Sequence, residues 1–349
     1  MYFASDNSGP ALPQVMQALN DANRGYAMGY GADQLMADVR TQICDIFEAP
    51  DAAVYLVATG TAANALALAT LAQPWQTIFC APVAHIHEDE CNAPEFYTGG
   101  TKLTLVGETD KISVEALRAA IEAEETRGVH GPQRGPVSLT QVTERGTVYT
   151  LGEIKALSSL AANYNLPVHM DGARFANALE ALECTPAEMT WKAGVDVVSF
   201  GATKNGCLGV EAVIFFDDKH TWEFELRRKR GAHLFSKHRY LSAQMQAYLL
   251  GDLWRKTARK ANQKAARLTT GLKEIPHVSF AHPPQANMVF ATMPRAMHKN
   301  LLDAGVVYNI WSGNLDGSDP NEPLTARFVC DWSLSDANID RFLEIVRNS

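Results

Sequence analysis

Short apolar runs alternate with stretches of helical periodicity through the first two thirds of the chain. The runs at 54–57, 77–80, 103–106, 137–142, 167–170, 195–200 and 212–216 are rich in Val, Ile, Leu and Phe and predict strands. Helices are expected between them at 61–71, 114–125, 151–164 and 173–182. Runs that are apolar throughout, rather than at every second residue, suit strands covered on both faces. Such strands alternating with helices predict an α/β fold around a mostly parallel seven-stranded sheet. From Tyr240 to Leu272 the pattern reads as one long helix, with Leu241, Met245, Tyr248, Leu249, Leu253 and Trp254 near helical spacing and a basic second half. Pro276 follows. The remainder reads as a smaller α+β unit, with strands at 278–281, 287–291 and 325–330 and helices at 295–304 and 336–346, the last opened by Ser335. These changes divide the chain into a large domain, 1–248, and a small C-terminal domain, 249–349, with residues 1–14 placed to pack against the small one.

A chain of 349 residues can bury such a core without disulfides or metals. The charge balance, 31 basic against 39 acidic residues for a net charge of −8, lacks the basic footprint of a nucleic-acid binder. No apolar run reaches the roughly 18 residues of a membrane span, and the start has no basic region followed by an apolar stretch. The six cysteines are scattered with no C-x-x-C pair, which suits reduced thiols in a cytoplasmic protein. No nucleic-acid or membrane partner is expected.

Three separated segments carry the chemistry. Thr59-Gly60-Thr61-Ala62-Ala63-Asn64 follows a strand and opens a helix. Free N–H groups and the positive dipole end there suit a phosphate, although alone such a start reads first as a helix cap. His169-Met170-Asp171-Gly172-Ala173-Arg174 lies where a buried strand gives way to a helix. A carboxylate leaving an apolar strand needs a cation, either Arg174 or a protonated ring nitrogen on a cofactor. Ser199-Phe200-Gly201-Ala202-Thr203-Lys204-Asn205-Gly206 follows another buried strand and offers a lysine amine among small residues. A phosphate, an aldehyde that a lysine can capture and a ring nitrogen that an aspartate can keep protonated occur together in pyridoxal 5′-phosphate.

With these segments in place the chain resembles the L-threonine aldolase group of the β-eliminating lyases, pyridoxal-phosphate enzymes of fold type I (aspartate aminotransferase-like). The resemblance runs nearly the whole length, through Ser5-Asp6-Asn7, Gly29-Tyr30-Gly31, the Thr59 and Asp171 segments, Ala84-His85, Ser199 to Asn205 and Arg327-Phe328-Val329. It implies Lys204 as the Schiff-base lysine, Asp171 as the partner of the pyridine nitrogen and His85 stacked on the ring. Gly60 and Thr61 would anchor the phosphate. Arg174 and Arg327 would lie near the substrate carboxylate, helped by Ser5. Tyr30 and Lys229 would reach a neighbouring subunit's site in a homotetramer whose active sites are shared. The implied activity is cleavage of β-hydroxy-α-amino acids, such as L-threonine, L-allo-threonine or phenylserine, to glycine and an aldehyde. One departure stands out: Glu144 falls where many of these aldolases carry a second histidine. The proton acceptor is thus open among His85, a water, His87 and Glu144.

Other readings remain at this point. The same scaffold supports other lyase reactions and transamination, or simple carriage of the coenzyme. His85 and His87 on a strand would face one side and could share a zinc ion in a hydrolase. No metal is assigned, since no matching set of ligands follows.

Overall fold

Seven strands form the larger of two sheets in the computed structural model, which describes residues 1–349: β1 (Ala53–Val57), β2 (Gln76–Cys80), β3 (Lys102–Leu105), β4 (Gln133–Thr140), β5 (Val168–Gly172), β6 (Val197–Gly201) and β7 (Glu211–Phe215). Their order is β1-β7-β6-β5-β4-β2-β3. β7 runs antiparallel to both its neighbours, and every other pairing is parallel. β5, β6 and β7 are buried along their full length, and the polar residues they carry, His169, Asp171, Ser199 and Glu211, are buried with them.

The helix Gly60–Leu71 is buried at nine consecutive positions, Ala62 to Thr70, because alanine and leucine surround its axis. Thr59 starts it, its hydroxyl accepting from the Ala62 amide at 3.1 Å. On the far side of the sheet the main core gathers Phe47, Phe175, Phe200 and Trp254, with ring centroids 5.4–5.6 Å apart for the contacting pairs Phe47–Phe175, Phe47–Phe200, Phe175–Phe200 and Phe200–Trp254.

The smaller sheet, β8 (Ser279–Phe280), β9 (Met288–Pro294), β10 (Asn309–Ser312) and β11 (Pro323–Val329), is antiparallel in the order β10-β11-β9-β8. It carries its own core. The N-terminus enters that core: Phe3 packs on Phe328 and Phe342, its amide donates to the Val307 carbonyl, and its carbonyl accepts from the Val329 amide.

The single helix expected over 240–272 is two, Arg239–Leu249 and Leu253–Lys273, joined by a tight turn at Leu250–Asp252. Gly251 and Asp252 take φ of +60° and +57°, conformations open to glycine and tolerated by aspartate. The kink lets the first helix pack on the helices Pro13–Ala22 and Gln34–Ile46. The second crosses from the main core at Trp254 and Ala258 to the smaller one at Ala265, Leu268 and Leu272. All six cysteines are free. No helix is long and apolar enough to cross a membrane.

Candidate active site

The chemistry collects where β1, β5 and β6 end. Ligands of open α/β sheets bind at such carboxyl ends. A cleft of about 340 Å³ opens there, and Gly60, Thr61, His85, Asp171 and Lys204 all line it, joined by Asn64 and Glu90. At Gly201 a Cβ would sit 2.5 Å from the Ala173 carbonyl oxygen, so only glycine lets the end of β6 approach the segment after Asp171. At Gly60 a Cβ would meet nothing within 4 Å, which leaves the helix N-terminus open to the cleft.

Asp171 is buried and ends β5. One carboxylate oxygen accepts from Asn64 Nδ2 and the other from the Ala173 amide, each at 3.0 Å. Both donors are neutral. The expected alternative of an Asp171–Arg174 ion pair is not formed, because Arg174 turns instead to Asp6. Two residues before Asp171, His169 is enclosed between the hydroxyls of Ser138 and Ser199. Burial pushes its pKa down to about 4, so it adds no cation. Asp171 therefore has capacity for a cation that the protein does not itself provide.

His85 opens the short helix His85–Glu88. Its Nδ1 lies 2.8 Å from a Glu90 oxygen that also accepts from Asn64 Nδ2 at 2.9 Å. The Glu90 contact raises the imidazole pKa against the opposing effect of burial. Burial in turn raises that of Glu90, and its hydrogen bonds pull it back. Asn64 thus ties the carboxylate behind His85 to the carboxylate of Asp171. The strand geometry required for a zinc pair is not formed: residues 85–88 are helical, and side chains two apart on a helix diverge. No group of three His, Cys, Asp or Glu gathers as a metal site.

Lys204 sits on the turn Thr203–Asn205 that follows β6. Asn205 pins this turn, donating to the Tyr248 hydroxyl and the Trp254 carbonyl, both at 2.7 Å. Glu211, at the start of β7, accepts from the Ala202 amide at 2.7 Å.

The remaining residues singled out in the sequence lie around or away from the cleft. Arg174 is buried in a two-bond pair with Asp6, Nε to Oδ2 at 2.7 Å and Nη2 to Oδ1 at 3.0 Å, and Asn287 donates to the same carboxylate. Burial opposes ionisation of Asp6, but Arg174, Lys204 and the Asn287 hydrogen bond together outweigh it and hold the carboxyl below its ordinary range. Arg327 lies over the Trp311 ring at 5.4 Å, with Arg174, Glu144 and Asp6 as charged neighbours. Glu144 is buried near Arg174, Arg327 and His85. Ser5 caps the turn Asp6–Ser8, its hydroxyl accepting from the Asn7 amide. Tyr30 and Lys229 meet each other, with the ammonium 4.8 Å from the ring centroid, and do not line the cleft of their own chain. A larger cleft of about 650 Å³ lies elsewhere, between Leu66, Phe96 and Leu226, and none of the residues singled out in the sequence lines it.

The sequence reading gave no role to Asp6, Asn64, Glu90, His169 or Glu211. Asp6, Asn64 and His169 stood inside motifs that were recognised. Glu90 is the last of three consecutive acids and Glu211 stands alone, and only the fold reveals that both are buried.

The residues fit pyridoxal 5′-phosphate: an open helix N-terminus for a phosphate, a lysine amine, and a buried carboxylate with room for a protonated nitrogen, all on one cleft. The pattern of the beta-eliminating lyases matches residues 2–295 of the chain. The chain belongs to the beta-eliminating lyase family. Among family members, the low specificity L-threonine aldolase of Pseudomonas aeruginosa is 39% identical over 347 residues, 99% of this chain and 96% of that protein. The enzyme of the same description from a Pseudomonas species is 38% identical over 346 residues, with the same two coverages of 99% and 96%. The solved structure of Leishmania major threonine aldolase superposes with a TM-score of 0.92 at 25% identity, covering 99% of this chain and 98% of that one. Serine palmitoyltransferase of Sphingomonas wittichii shares the fold, with a TM-score of 0.71 at 17% identity over 100% of this chain and 86% of that one. This lyase-family chain therefore has fold type I of the pyridoxal-phosphate enzymes, a seven-stranded mostly parallel sheet with a smaller sheet beside it.

Proposed function

We propose that the chain is a pyridoxal 5′-phosphate-dependent aldolase that cleaves β-hydroxy-α-amino acids of the L-threonine type to glycine and an aldehyde. The observation that carries this reading is the convergence of Lys204, Asp171, His85 and the Gly60–Thr61 helix start on one cleft. Pyridoxal phosphate, when bound, supplies an aldehyde for the substrate amine and a ring that accepts the electrons of the broken Cα–Cβ bond.

The protein side of the chemistry is positional and protonic. The Gly60 and Thr61 amides would hold the phosphate. Asp171, steadied by Asn64 and the Ala173 amide, would keep the ring nitrogen protonated. His85 would lie against the coenzyme, and the Lys204 amine would hold its aldehyde. Arg174 and Arg327 present guanidinium groups for the substrate carboxylate, with the Ser5 turn beside them, and Asp6 and Trp311 set their directions. A carboxylate fixed by the two arginines would orient the substrate so that its Cα–Cβ bond is the one selected for cleavage. The β-hydroxyl proton goes to His85 Nε2 or to a water on it, since Glu90 occupies Nδ1 and raises the basicity of the imidazole.

The enzyme acts as a cytoplasmic homotetramer with shared sites. Exposed Tyr26, Met28 and Tyr30 supply apolar surface for a second copy, which would bring Tyr30 and Lys229 to its partner's cleft. The division into 1–248 and 249–349 belongs to the same reading, the boundary falling beside the kink at Gly251.

Incubation with L-threonine tests the proposal. Stoichiometric glycine and acetaldehyde support it. Ammonia with a keto acid would identify a different reaction on the same scaffold, and no loss of L-threonine, L-allo-threonine or phenylserine would refute turnover of this substrate class.

A further inference from the structure

Glu211 has no part in the steps above, yet it is buried, only 7% exposed, and lines the same cleft. It starts β7 between two elements of the site. Across one edge its register partner is Val57, three residues before Gly60; across the other it is Gly201, three residues before Lys204. Its Oε2 accepts from the Ala202 amide, which leaves Oε1 as the second acid oxygen. Lys204 is the cation that faces it. Cys207 and Tyr248, the other titratable groups around it, are kept neutral by burial.

A phosphate seated on the Gly60 and Thr61 amides brings close to two negative charges to the cleft that encloses this carboxyl. Two anions in one water-poor site cannot both be ionised without cost, so one of them takes a proton. The phosphate is favoured as the anion because it sits on the helix N-terminus, while at the carboxyl the cost of burial exceeds what the Ala202 and Thr203 hydrogen bonds and the Lys204 charge return. We propose that Glu211 makes coenzyme binding proton-linked: it fixes the lysine turn through the Ala202 amide with one oxygen, carries a proton on the other, and the phosphate is held most tightly while that proton is in place. Consistent with this placement, burial lifts the carboxyl to a pKa of about 7 before any phosphate is added, although Lys204 and the Thr203 and Ala202 contacts pull the other way.

The inference rests on the phosphate occupying the Gly60–Thr61 end of the cleft. Its test uses pyridoxine 5′-phosphate, which has the ring and the phosphate but no aldehyde, so Lys204 chemistry does not enter. Its dissociation constant is measured on the full-length wild type and on Glu211→Gln between pH 6 and pH 8.5. Gln keeps an acceptor for the Ala202 amide and cannot ionise. The titration of the free phosphate is common to both proteins and cancels in the ratio, which leaves the coupling between Glu211 and the bound phosphate. The expected result is a wild-type to Glu211→Gln ratio of dissociation constants that rises with pH, on the order of tenfold for each unit by which bound phosphate raises the carboxyl pKa. A ratio constant with pH overturns the proposal. Thermal melting of the ligand-free proteins reads the same carboxyl independently. Its raised pKa means folded-state stability is lost as pH rises from the ordinary value of 4.5 through about 7. Glu211→Gln should therefore gain in melting temperature over wild type as pH goes from 5 to 8, and a pH-independent difference overturns the assignment. If wild type binds no pyridoxine 5′-phosphate at any pH, the coenzyme reading itself fails; if both proteins bind it with the same pH dependence, this inference alone fails.

Discussion

Asp6 offers the most informative single substitution, because one carboxylate joins three segments of the chain. It pairs with Arg174 through two hydrogen bonds, accepts from Asn287, and holds the N-terminal turn against the site. Both partners are nearly inaccessible, with side-chain exposures of 2% for Asp6 and 4% for Arg174. Asp6→Ala leaves a guanidinium buried without its counter-charge, which costs about 3–5 kcal/mol. For 349 residues unfolding together, an entropy of about 2.1 cal/mol/K per residue converts this to a loss of roughly 4–7 °C in melting temperature. Because Arg174 is proposed to bind substrate, the same variant should raise KM for L-threonine more than it lowers kcat. Asp6→Asn, which keeps an acceptor but not the charge, should lie between. The Asp6 pKa is lowered from 3.8. The pair's contribution is therefore complete above that value and is lost as pH falls through the lower folded value, so the gap between wild type and Asp6→Ala should narrow on acidification. Scanning calorimetry from about pH 2 to 7, with steady-state kinetics at neutral pH, reads all of this. A melting temperature within about 1 °C of wild type at neutral pH would refute the reasoning.

Other substitutions probe the rest of the site. Glu90→Gln removes the group that raises the His85 pKa, so the acidic limb of the kcat/KM profile, where the imidazole protonates, should move to lower pH; an unmoved limb means His85 is not the proton acceptor. Asp171→Asn should lower kcat by several orders of magnitude while leaving the coenzyme attached, read by absorbance alongside turnover; near-normal turnover would remove Asp171 from the ring nitrogen. Trp254→Ala empties a fully buried site beside Phe200 and should cost about 3–5 kcal/mol in stability with the coenzyme contacts unchanged, measured by denaturant unfolding; a loss below about 1 kcal/mol would contradict the packing described.

Much of the frame was legible before the coordinates. The apolar runs that became β1, β2 and β5–β7 stood out because strands buried on both faces admit almost no polar residue. The three polar segments stood out because each interrupts such a run at its carboxyl end. The helices Pro13–Ala22, Gln34–Ile46 and Thr221–Arg230 were not separated from loop, since they bury only one to three side chains each and mix apolar with polar residues on their exposed faces. The break at Gly251 was hidden because glycine inside a periodic pattern marks either a tolerated residue or a turn, and only packing decides. Site residues whose role depends on a distant partner were the least legible. Asp6 meets Arg174 across 168 positions and Asn64 meets Asp171 across 107, and no spacing rule reaches so far. The pairing Arg174 makes was open in the sequence, where Asp171 was the nearer acid; the fold gives it Asp6 and leaves Asp171 for a cation from outside the chain.

The central claim is that the amine of Lys204 joins a coenzyme whose ring nitrogen rests on Asp171. Borohydride reduction of the full-length enzyme with pyridoxal phosphate bound, followed by proteolysis and mass spectrometry, tests it directly. A phosphopyridoxyl group on the peptide carrying Lys204, absent after Lys204→Ala, is the expected result. A label on another lysine, or unchanged labelling in that variant, would contradict it.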